Sequence, residues 1–109
     1  MAVDWIATLQ DQGEICRSKA REVAHLLQHD DLSIEVATIL RNDVEHLATR
    51  FDGVMVDLYK ALHDDDPLIE AAEALELLWS QLCLATANKI RALQGLPLID
   101  PFADDEDGD

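Results

Sequence analysis

Positive charge is what this chain has least of: eight Lys and Arg stand against 23 Asp and Glu, a formal net charge of −15. Nucleic acids and anionic membranes are held by basic footprints, so direct binding to either is excluded as the main activity. Cysteine occurs only as Cys16 and Cys83, far apart and without metal-ligand spacing. That excludes a disulfide framework and predicts reduced thiols in a core. Aromatic residues make up 5% of the chain, with four glycines and three prolines, against 49% hydrophobic residues overall. Such a balance excludes a low-complexity chain and points to a compact helical one. No apolar run is long enough to cross a bilayer, and the opening "MAVDWIATLQDQGE" lacks a basic end followed by an apolar stretch. A soluble, cytoplasmic protein is the expectation.

At 109 residues the chain suits a single domain. Trp5, Leu9, Cys16, Ala20, Val23 and Leu27 keep phase at about 100° per residue and predict a helix over about 4–28. "HDDLS" breaks it, and Asp31 or Ser33 can cap a second helix. Val36, Leu40, Val44, Leu47, Phe51, Met55, Leu58 and Leu62 form its stripe, over about 33–62. Asp66 before Pro67 is a start signal for the third, which carries Leu68, Ala72, Leu75, Trp79, Leu82, Thr86, Ile90 and Leu93 to about residue 94. Gly95 and Pro97 then stop it. The fold class is all-α: an up-down-up antiparallel three-helix bundle over residues 1–99, with a disordered acidic tail over 100–109. "LPLIDPF" is apolar enough to pack back onto the bundle. Leu77 and Leu84 fall opposite the core of the third helix, and Val56 outside that of the second. They predict an apolar seam for self-association, with a dimer the simplest form.

Carboxylate-x-x-histidine spacing holds metal in some helix bundles, and "REVAHLLQHDD" offers Glu22, His25 and His29. On a wheel these three fall about 150° from the core stripe, and on the second helix His46 lies well off the stripe and Asp43 on its flank, so the two clusters are not expected to converge inside the bundle. They are weak metal candidates, and no cofactor is expected. The acids from Asp64 to Glu76 lack the second cluster that helical nucleotide pyrophosphatases need, for no acid occurs between Glu76 and Asp100. Helix capping and the helix dipole explain them better. His46 is followed by Thr49 where phosphotransfer bundles place a lysine. Neither cysteine has a histidine beside it, no serine sits in a nucleophile elbow, and no glycine-rich phosphate loop is present. The chain is read as a non-enzyme.

The charge is unevenly placed. Of the −15, turns and tail carry −11: Asp30 and Asp31 supply −2, Asp64 to Asp66 supply −3, and Asp100, Asp104, Asp105, Glu106, Asp107 and Asp109 supply −6. In an up-down-up bundle the first turn and the tail share one end. The expected function is therefore a non-catalytic protein-interaction module, an inhibitor or adaptor that engages a basic surface of a partner protein, one that can itself be a nucleic-acid-binding site. Asp30, Asp31, Asp104, Asp105, Glu106 and Asp107 are the electrostatic candidates; Leu77, Leu84 and Val56 are the apolar ones. In character such a chain resembles phage-encoded inhibitors of host defence, including anti-CRISPR proteins and DNA mimics, although no motif in it identifies a family. Two alternatives stand beside this reading: a small structural homo-oligomer whose acidity serves solubility, and a His/carboxylate metal-binding bundle.

Overall fold

Each helix begins on a side chain that accepts a hydrogen bond from an otherwise orphaned backbone amide. The Asp4 carboxylate accepts from Ala7 N at 3.1 Å, Ser33 Oγ from Val36 N at 3.1 Å, and Asp66 Oδ1 from Leu68 N at 2.9 Å. These caps start α1 (Trp5–Leu27), α2 (Ile34–Ala61) and α3 (Pro67–Gln94) in the computed structural model, which describes residues 4–99. No strand occurs among the described residues. The element boundaries fall within one residue of those expected from the sequence. Gly95 closes α3 in the left-handed region at φ 74°, its amide donating to Ala92 O at 3.1 Å while Leu96 N donates to Arg91 O at 2.8 Å. This is a Schellman motif, which a residue with a Cβ adopts only under strain.

The three helices run up, down and up, and α3 is their common partner. It packs most extensively on α2, less on α1, while α1 and α2 touch least. The main core joins Leu9, Cys16 and Val23 of α1, Val44, Phe51, Met55 and Leu58 of α2, and Ile69, Ala72 and Trp79 of α3. A smaller cluster of Leu32, Ala37 and Ile90 anchors the first turn against the end of α3. Leu32 falls in the expected break between helices, yet it is buried, because a six-residue connection needs one apolar foot to hold it down. Val36, expected in the core stripe, is 43% exposed, and Ala37 is buried in its place. The stripe of α2 thus starts one position later, where a small residue lets the turn approach α3.

Among the described residues one polar residue, Thr86, is buried, and it is satisfied locally. Thr86 Oγ1 is within 3.0 Å of both Leu82 O and Cys83 O, to which its hydroxyl donates. Gly53 is different from Gly95: it lies within α2 at an ordinary helical φ, and a Cβ there would meet nothing within 4 Å. Substituting each by alanine should therefore change stability in opposite directions. Gly53→Ala is expected to stabilise by about 1 kcal/mol, raising the midpoint of thermal unfolding by several degrees. Gly95→Ala is expected to destabilise by about 1 kcal/mol. Thermal denaturation followed by circular dichroism checks both, and a shift of the same sign in the two variants would contradict the assignment.

Candidate functional site

Glu22, His25 and His29 are all exposed, as the wheel placed them. The Lys19 ammonium donates to Glu22 Oε1 at 2.6 Å and also to the Asp43 carboxylate across the gap between α1 and α2. Burial acts to lower the Lys19 pKa, but the hydrogen bonds to Asp43 and Glu22 outweigh it and hold the ammonium above its ordinary value. The carboxylates of the two histidine-bearing stretches thus converge on a lysine. The imidazoles of His25 and His29 pair with each other, Nε2 to Nε2 at 3.4 Å with ring planes at 83°. Among the described residues no group of three or more His, Cys, Asp or Glu is placed to share a metal ion.

Asp30 and Asp31 are exposed at the first turn. Asp104, Asp105, Glu106 and Asp107 lie outside the described residues. After Gly95 the chain does not continue beyond the tip of the bundle. Arg91 Nε donates to Pro97 O at 2.5 Å; Ile99 N donates to Asn88 Oδ1 at 2.6 Å and Asn88 Nδ2 to Ile99 O at 3.0 Å. Residues 96–99 therefore run back along the outer side of α3, and the described chain ends beside Asn88, roughly 10 Å below the tip at 1.5 Å per helical residue. The residues of the expected seam differ in exposure. Leu77 and Val56 are 60% and 51% exposed, but Leu84, one turn from Asn88 on the same side, is half-buried. The three do not form one open apolar line.

A feature not foreseen from the sequence lies between α2 and α3. Glu45, Asp52, Glu73 and Glu76 line an open groove of about 720 Å³ with Phe51 and Trp79, and exposed Leu77 is also part of its lining. Its acids come from two helices, which is why no single stretch announced it. Glu45 is held by Arg41 at 2.9 Å. Glu73 accepts from the Tyr59 hydroxyl at 2.5 Å. The field of the groove is legible in two neighbours. Tyr59 has its pKa pushed up to about 12, first by the hydrogen bond to Glu73 and then by partial burial and the charges of Glu73, Glu76 and Asp64. The Cys83 thiol, which lines the groove, is pushed up by burial and then by Glu45 and Asp52, against the opposing effect of Arg41.

Tyr59 is the only tyrosine of the chain, so its ionisation can be followed directly by absorbance at alkaline pH. The midpoint should lie near 12 rather than the ordinary value of about 10. Because the raised value reflects a neutral phenol favoured beside a carboxylate, Glu73→Gln should bring the midpoint down toward 10; no downward movement would contradict the pairing. Comparison of the chain with known protein families, with characterised proteins and with solved structures returned no match.

Proposed function

We propose that this protein is a non-catalytic interaction module that binds a basic surface of a partner protein, acting as an inhibitor or adaptor. The observation that carries the reading is how the charges are matched. Arg17, Lys19 and Arg41 each lie against a carboxylate, while among the described residues no Lys or Arg lies within ion-pair range of Asp30, Asp31, Asp52, Glu73 or Glu76. Three of the eight Lys and Arg are thus paired with carboxylates, and these five acids are left without a cation beside them. Surface charge of one sign does little for fold stability, but it raises the rate of encounter with an oppositely charged partner and selects against anionic ones.

The residues that would make first contact are the exposed acids at Asp30 and Asp31, with Asp104, Asp105, Glu106 and Asp107 of the C-terminal stretch. Affinity chromatography of a native lysate on the immobilised protein, eluted with rising salt, tests this. A partner with a basic surface should be retained at low ionic strength and released as salt shortens the screening length from about 10 Å toward about 3 Å. Removing residues 103–109 and replacing Asp30 and Asp31 by Asn should lower its affinity at least several-fold at low salt and flatten the salt dependence. Unchanged, salt-insensitive retention by that variant would contradict the proposal.

A further inference from the structure

We infer that the α2/α3 groove is a docking site for a basic amphipathic helix of a partner protein. The inference rests on the proposed engagement of a basic partner and gives that engagement a place. Four carboxylates line the groove, Glu45 and Asp52 from α2 and Glu73 and Glu76 from α3; Arg41 pairs with Glu45 from outside the lining, and among the described residues no cation pairs with the other three. Glu45 and Asp52 are seven residues apart, two turns and roughly 10 Å along α2. Glu73 and Glu76 are neighbours on α3. These acids are spread along two walls and are not gathered for one metal ion. Spread acids match several separate cations, such as Lys or Arg at successive turns of one helix.

The lining is not only acidic. Phe51 and Trp79, 0% and 2% exposed, lie beneath the groove, and Leu77, 60% exposed, presents apolar surface at its edge. An occupant with an apolar stripe between its cations therefore has a complementary surface. The indole N–H of Trp79 is a second, independent feature. It is buried without a hydrogen-bond partner among the described residues, on a side chain 2% exposed. A buried donor left unpaired is costly, and the fold supplies no acceptor for it. Trp79 lines the groove, so its indole N–H reports on an occupant there. The chain's own C-terminal stretch is a poor occupant, since residues 100–109 carry six acids and no base. Nucleic acid is excluded by the same sign.

The probe is a synthetic leucine–lysine amphipathic peptide of roughly 14 residues, about four helical turns, with two controls: the same peptide with every Lys replaced by Glu, and an all-lysine peptide of equal length. Binding is followed by amide NMR of the full chain, with the Trp79 indole N–H as a separate signal. The expected result is saturable binding whose largest shifts fall within 45–52 and 73–83 and include that indole. The triple variant Glu45→Gln, Asp52→Asn, Glu76→Gln should weaken binding at least tenfold, and Leu77→Ala several-fold. All four substitutions are at groove-lining positions, and a thermal melt of each variant confirms folding. The all-lysine peptide should bind more weakly and the Glu peptide not at all. Shifts centred on residues 28–33, or binding lost on deleting residues 100–109 and kept in the triple variant, would overturn the groove and leave the basic-partner reading standing. No salt-sensitive binding of the Lys peptide anywhere would overturn both.

Discussion

The association of α3 with α2 is the constraint on which the rest of this structure depends. A chain of net charge −15 repels itself when compact, and its helices come together only because enough apolar surface leaves water when they do. Phe51, Val44 and Leu58 of α2 are fully buried with Trp79 and Ala72 of α3, and each large side chain so buried contributes about 1.5–3 kcal/mol. α1 adds a thinner layer through Leu9, Cys16 and Val23, tied to α2 by the Lys19 ammonium. Because the lysine bridges two half-exposed carboxylates, screening by water limits what that tie contributes to about 1 kcal/mol or less.

The same packing produces the surface that is proposed to act. Two long antiparallel helices that share a core on one side leave a groove on the other, and here four of the eleven residues lining it are acids. Trp79 belongs to both sides: it fills the core and lines the groove, so the groove has a rigid base. A rigid, preformed and charged concavity can recognise a partner without ordering itself first. Burial pushes both thiols up, away from the thiolate form.

Much of the fold was readable because helix periodicity and caps are local. Asp66 before Pro67, Ser33 before Ile34 and Gly95 after Gln94 mark the helix ends, and stripes such as Val44, Phe51 and Leu58 mark a face that three-dimensional packing then buries. Sequence and structure part where two neighbouring apolar or small residues compete for one core position, as with Val36 and Ala37. The candidate site was less legible because its elements are non-local. Glu45 and Asp52 meet Glu73 and Glu76 only through the pairing of α2 with α3, and the strap of residues 96–99 is pinned by the Asn88 and Arg91 side chains of α3. The Lys19–Glu22 pair is written at i and i+3, but the choice of Asp43 as its third member is not.

The account stands on negative potential being gathered at the first turn and over the α2/α3 groove. NMR relaxation enhancement by a cationic and a neutral paramagnetic cosolute of the same size, compared residue by residue, measures that potential directly. The account predicts an excess of the cationic over the neutral effect at protons of residues 30–33, 45–52 and 73–80 that exceeds the one along α1 and falls as salt is added. An excess equal on every helix, or greatest along α1, would contradict it.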